Sequence, residues 1–203
     1  MDAVYTKIDR VLPPLPGWCT PEKGRRMARL VVESRARLCV ELGVFGGRSM
    51  IAMSFGAEKL DGLCRVDGID PFTKEASLEG SNDRVNDEWW ATINYEDILR
   101  QAHAAITDNR LGAFAYIRRM RSQDAVGLYA YGSINILHQD SNHSYEVSTS
   151  EVMTWVPKMA PNSFWIQDDT DWASTKQAQE MIVEKGFTLI EDHVKWRIYQ
   201  RGS

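Results

Sequence analysis

Several short stretches of this 203-residue chain gather side chains able to do chemistry. Glu41-Leu-Gly-Val-Phe-Gly-Gly-Arg-Ser49 puts a carboxylate beside a turn of small residues. Asp70 stands directly before Pro71, Asp140-Ser-Asn-His143 pairs an acid with an imidazole, and Asp168-Asp169-Thr-Asp171 is an acidic run. Neighbouring parallel strands lie ~4.8 Å apart, so Asp140, Asp168 and Asp169 are expected to converge at one sheet edge. Carboxylates so close in a partly buried site repel one another. A hard divalent cation relieves that repulsion, and oxygen ligands with room for water favour Mg2+. His143 supplies a neutral imidazole, a group suited to taking a hydroxyl proton near neutral pH.

The elements that must position these residues follow from hydrophobic patterning. Thr20-Pro21 reads as a helix N-cap with proline at the first helical position, opening a helix with Met27, Leu30, Val31 and Ser34 on one face. Short apolar runs predict strands over 37–43, 64–70, 113–118, 133–140 and 163–168. Helices are predicted over 48–59, 87–108, 122–129, 145–156 and 174–185, with Gly186 closing the last and residues 73–86 as a surface loop. Pro161-Asn162 reads as a turn, and Asp171 as the cap of the helix near Ser174. Two final strands, 187–191 and 194–199, are joined by a tight turn at Asp192-His193. Such alternation predicts an α/β fold with a mostly parallel sheet covered on both faces and an antiparallel last strand.

A net charge of -4 with scattered Lys and Arg argues against a nucleic-acid partner. No run reaches the ~20 apolar residues of a membrane span, and the first residues lack a secretory pattern. A cytoplasmic enzyme with a small-molecule substrate, able to form a homo-oligomer, is expected. Cys19, Cys39 and Cys64 fit free, packed thiols rather than a disulfide or metal framework.

Ligands of open α/β sheets bind at the carboxyl ends of the strands. There Glu41 would repel a pyrophosphate but suits a ligand with an ammonium and a sulfonium, as in S-adenosylmethionine (SAM). Asp70 is placed to accept ribose hydroxyls. Val40-Glu-Leu-Gly-Val-Phe-Gly-Gly-Arg-Ser49 resembles the first motif of catechol O-methyltransferase-like enzymes, and Arg121-Ser-Gln-Asp-Ala125 their adenine-contacting segment. Gly68-Ile-Asp-Pro-Phe72 is similar to the macrocin O-methyltransferase-like and cephalosporin-hydroxylase-like branch of class I SAM-dependent methyltransferases.

The resemblance covers residue 37 to the end. It implies a Rossmann-like sandwich with strand order 3-2-1-4-5-7-6, residues 1–36 being an extension and helix over the site of a 37–203 domain. It implies SAM contacts from Glu41, Gly43, Phe45, Gly47, Ser49, Asp70, Ser122, Gln123 and Asp140. Asp140, Asp168 and Asp169 then correspond to a metal triad, and His143 to the base. The expected activity is Mg2+-assisted O-methylation of a hydroxylated small molecule such as a sugar diol or catechol. Trp18, Trp89, Trp90 and Trp172 are candidates for the acceptor pocket. His138, His103 and His193 read as packing or turn residues. Rival readings are a metal-independent N- or carboxyl-methyltransferase, a nicotinamide oxidoreductase, disfavoured because Gly-x-Gly-x-x-Gly is missing, and a non-catalytic SAM-binding protein.

Overall fold

The computed structural model describes residues 1–81 and 83–202. Its first half runs α1 (Asp2–Val11), α2 (Pro21–Glu33), β1 (Leu38–Leu42), α3 (Arg48–Glu58), β2 (Arg65–Ile69), α4 (Lys74–Ser77), α5 (Arg84–Trp90) and α6 (Tyr95–Asp108). The second half runs β3 (Ala115–Arg118), α7 (Ser122–Ala125), β4 (Ile134–Gln139), α8 (Tyr145–Trp155), β5 (Met159–Asp168), α9 (Lys176–Glu184), β6 (Phe187–Asp192) and β7 (Trp196–Arg201). The strands form one sheet in the order β3-β2-β1-β4-β5-β7-β6. β1 to β5 pair in parallel, and β7 inserts antiparallel between β5 and β6. The predicted order and the antiparallel last strand are both present.

Period-two alternation sorts each strand between two cores. Val40, Leu42, Leu137 and Trp165 pack with Val152 and Trp155 of α8 and Ile182 of α9. On the other face Cys39, Ile136 and Ile166 meet Met27 and Val31 of α2 and Ile51 and Phe55 of α3. Two residues further along β1, β4 and β5 on that second face stand Glu41, His138 and Asp168. The apolar layer thus gives way to charge at the carboxyl edge, where the sheet order switches between β1 and β4.

Patterning missed α1, whose Val4 and Ile8, with Leu12 beyond it, are buried in the same cluster as α2 and α3. α2 starts as expected, with the Thr20 hydroxyl accepting from the Lys23 amide at 3.2 Å. The loop expected over 73–86 contains α4 and the start of α5, and the helix expected over 87–108 is broken between Trp90 and Tyr95. Asn94 caps α6 by accepting from the Asp97 amide, and the Tyr95 hydroxyl donates to the Trp90 carbonyl. Those local bonds compete with a continuous helix. Pro161-Asn162 is no turn: it lies inside β5, where the β4 register jumps from Ile134↔Met159 to Ile136↔Phe164. A bulge accommodates the proline there. Asp171 does not cap the following helix, which begins through a 3-10 turn at Ala173–Thr175. Among the described residues no helix is long and apolar enough to cross a membrane.

Gly43 joins β1 to the next loop at φ +87°, and a Cβ there would lie 2.0 Å from the Asp140 carbonyl oxygen. Gly43→Ala combines a left-handed strain with a backbone clash and is expected to cost about 3 kcal/mol in urea unfolding. Gly186→Ala, at φ +92° in open space, is expected to cost only about 1 kcal/mol.

Candidate active site

The loop after β1 is folded by its backbone. Phe45 takes a left-handed φ of 46° and Gly47 caps α3 at φ 84°. The Asp70 carboxylate at the end of β2 ties this loop down, accepting from the amides of Val44 at 2.9 Å, Phe45 at 3.0 Å and Phe72 at 2.7 Å. Burial pushes the Asp70 carboxyl up, opposed by these three amides. The N-terminal segment lies across the loop: Arg48 donates to the Leu15 and Pro13 carbonyls. A Cβ on Gly46 would fall 2.1 Å from the Pro16 carbonyl oxygen.

These elements surround a cavity of about 800 Å3, within the range of small-molecule and cofactor sites. Gly43, Phe45, Ser49 and Asp70 line it, as do Ser122 and Gln123. So do Asp140, His143, Asp168 and Asp169. Two of the residues expected to contact SAM, Gly47 and Glu41, do not line the cavity. Gly47 serves the helix start, and Glu41 is fully buried beneath the wall, its Oε1 accepting from the Ser49 hydroxyl at 2.8 Å. Its Oε2 faces His138 Nδ1 at 3.4 Å.

Lys23 is the residue that sequence reading overlooked. It extends from the first turn of α2 to the carboxyl edge of the sheet and is only 5% exposed. Its ammonium forms an ion pair with Asp168 and lies 3.2 Å from His138 Nε2. Burial and the Lys23 charge would lower His138, but Asp168 and Glu41 hold it above the ordinary imidazole value. An ammonium only donates, so Nε2 accepts from Lys23 only in the neutral form with the ring proton on Nδ1. Burial alone would lower Lys23, but Asp168 and Asp140 hold it above the ordinary lysine value. Burial would likewise raise Asp168, yet Lys23, aided by His138, carries it well below the carboxylate range. Asp140 moves the other way, pushed up by burial and by the charge on Asp168. Lys23 lies four residues before Met27, so the helical period that exposed Met27, Leu30 and Val31 as buried also points to it. His138, read as packing, lies between Glu41 at 3.4 Å and Lys23 at 3.2 Å.

His143 Nε2 lies 3.0 Å from Asp169 Oδ2. Asp169 is itself held in a left-handed turn at φ 50°, its carbonyl accepting from the Thr175 hydroxyl and the Trp172 amide. The pair gives an imidazole oriented by a carboxylate, with the Trp172 ring 5.1 Å away. Opposite, Trp18 stacks on Phe45 at 5.3 Å, and Trp89 and Trp90 pack edge-on against these rings and each other. Trp18 remains 65% exposed at the rim, and all four expected tryptophans line the cavity.

The fit to Mg2+ is incomplete. His138, Asp140 and Asp168 form one group of donor atoms within 4.8 Å, and Asp140, His143 and Asp169 form another. The three aspartates are therefore not gathered into one ligand set, because Asp168 turns to Lys23 and Asp169 to His143. An ammonium about 4 Å from a divalent ion would oppose it by roughly 8 kcal/mol at an effective dielectric of about 20.

Sheet order and a cavity at the β1/β4 switch define a class I, Rossmann-like methyltransferase. The comparisons agree. Residues 40–170 match the family model described as a methyltransferase domain, and the chain belongs to that family: it is a SAM-dependent methyltransferase. No curated protein matches it in sequence. Its fold is similar to the O-methyltransferase TomG from Streptomyces achromogenes, solved with SAM, at TM-score 0.65 and 12% identity over 100% of this chain and 91% of that one. It is also similar to an O-methyltransferase from Bacillus cereus with bound SAH, at 0.64 and 15% over 99% and 92%. For the O-methyltransferase NovP the values are 0.69 and 16% over 90% and 79%.

The buried pair generates a double-mutant cycle. Lys23→Met and Asp168→Asn are each expected to cost about 3–5 kcal/mol in denaturant unfolding, because each strands the other partner. The double variant should cost less than the sum, with a coupling of about 1–3 kcal/mol.

Proposed function

We infer that this methyltransferase acts on a hydroxyl of a small molecule. The observation that carries the reading is one cavity holding both the Asp70-anchored loop and the His143–Asp169 pair at 3.0 Å. SAM, when bound, supplies an electrophilic methyl on a sulfonium. The chain's own residues do the rest. Asp70 offers carboxylate oxygen to the ribose hydroxyls, with Ser122 and Gln123 beside the adenine. Glu41, through Ser49, stiffens the loop and adds negative potential below a cationic ligand. His143 takes the proton of the acceptor hydroxyl as that oxygen attacks carbon, while Asp169 keeps the imidazole oriented and balances its new charge. The tryptophan rim excludes water and offers apolar surface to the acceptor, and alignment supplies much of the acceleration.

A magnesium-assisted version of this chemistry draws support from the two donor groups that share Asp140. Its signature is turnover lost in EDTA and restored by Mg2+.

In calorimetry with S-adenosylhomocysteine (SAH), His143→Ala should bind as the wild type does while losing roughly 10²–10⁴ of its turnover with a hydroxylated acceptor. Undiminished turnover would remove His143 from this role. Asp70→Ala should instead weaken SAH binding by more than about tenfold, since both the ribose contact and the loop anchor go with it.

A further inference from the structure

One of the two groups of side chains that could hold a metal already encloses a cation. His138, Asp140 and Asp168 bring their donor atoms within 4.8 Å of one another. His138 Nε2 lies 3.4 Å from Asp168 and 3.9 Å from Asp140. The Lys23 ammonium sits among them, paired with Asp168 and 3.2 Å from that same Nε2. Trp196 covers it, its ring centroid 5.8 Å from Nζ, a placement that favours a cation over the ring face.

The approach of Lys23 is built into the fold. α2 is pinned by the Thr20 cap, and by Met27 and Val31 in the core beneath it. The ammonium has three donors. Asp168 takes one and His138, in its neutral form, a second; among the described residues no other group accepts from the ammonium. Lys23 also lines the cavity that holds His143, so this third N–H is available to an oxygen bound there.

We propose that Lys23 is the resident cation of the active site: it neutralises the Asp140–Asp168 corner and engages the acceptor oxygen, so that methyl transfer needs no divalent metal. As the acceptor's O–H proton passes to His143, the oxygen forms its bond to the methyl carbon. The carbon–sulfur bond breaks with its electron pair going to sulfur, leaving a neutral thioether. Lys23 keeps its proton throughout and acts on the oxygen by charge and hydrogen bonding. The kinetic part of this assignment rests on the O-methylation reading; the metal-binding part does not.

The test measures uptake of Mn2+ by electron paramagnetic resonance on the full chain with SAH, beside turnover in EDTA. Wild type is expected to leave Mn2+ free at millimolar metal and to turn over equally with and without EDTA. Lys23→Gln is expected to gain Mn2+ binding that a further Asp168→Asn removes. Its metal-free turnover should fall at least tenfold and recover in part when Mn2+ is added, a rescue that a purely structural lysine would not show. Mn2+ bound by wild type and lost in Asp168→Asn or Asp140→Asn would overturn the proposal. So would EDTA-sensitive wild-type turnover, or a folded Lys23→Gln that takes up no metal. If Lys23→Gln does not fold, the two wild-type measurements decide alone. Wild type that binds SAH but methylates no hydroxyl would count against the O-methylation reading, leaving Mn2+ uptake to judge Lys23.

Discussion

The buried pair between Lys23 and Asp168 is the constraint on which the site depends. Taking an ammonium and a carboxylate out of water costs several kcal/mol for each ion unless geometry and further hydrogen bonds offset it. Here the offset comes from His138, the neighbouring Asp140 and the face of Trp196. Because the pair joins the first turn of α2 to the last residue of β5, it fixes the N-terminal segment against the carboxyl edge of the sheet. Trp18 and the strap from Pro13 to Pro16 then have one place to lie, across the loop that follows β1.

Charge in this site is shared out in pairs rather than collected around a centre. Glu41 faces His138 and is held by Ser49, Asp168 holds Lys23, and Asp169 holds His143. Asp140 has only His138 Nε2 at 3.9 Å, and burial together with the charge on Asp168 pushes its carboxyl up. This division separates roles along the cavity wall. One pair supplies a fixed positive charge, another an oriented imidazole, and the Asp70 carboxylate an anchor for the loop after β1.

Much of this was legible in the sequence because it is local. Strand lengths, the Thr20-Pro21 cap, the closing hairpin and the glycines after β1 each reflect backbone chemistry within a few residues. The strand order came from the resemblance rather than from patterning. The errors arose where distant contacts outweighed local preference. Pro161-Asn162 reads as a turn in isolation, yet pairing with β4 at Met159 and again from Phe164 carries one strand across it, at the cost of a bulge. α1 is short and its apolar residues sparse, so only packing on α2 and α3 reveals it as core. Lys23 and His138 were passed over because a lysine on a helix and a histidine in a strand are ordinary until the opposite wall is known. Three aspartates at strand ends were visible as a set, but not the partners that divide them.

Lys23 and Asp168 are 145 residues apart, and that separation bears on how the molecule is made. During synthesis α2 leaves the ribosome early and β5 late. Until β5 has docked beside β4, the ammonium on the inward face of α2 has no counter-charge and favours water over the core. The earlier strands can begin to associate in that interval, but the catalytic edge cannot close. Long-range pairing of this kind is a late event in folding. Completion of the site therefore waits until the chain has been made as far as β5, so a product that stops before it would be inert rather than indiscriminately reactive.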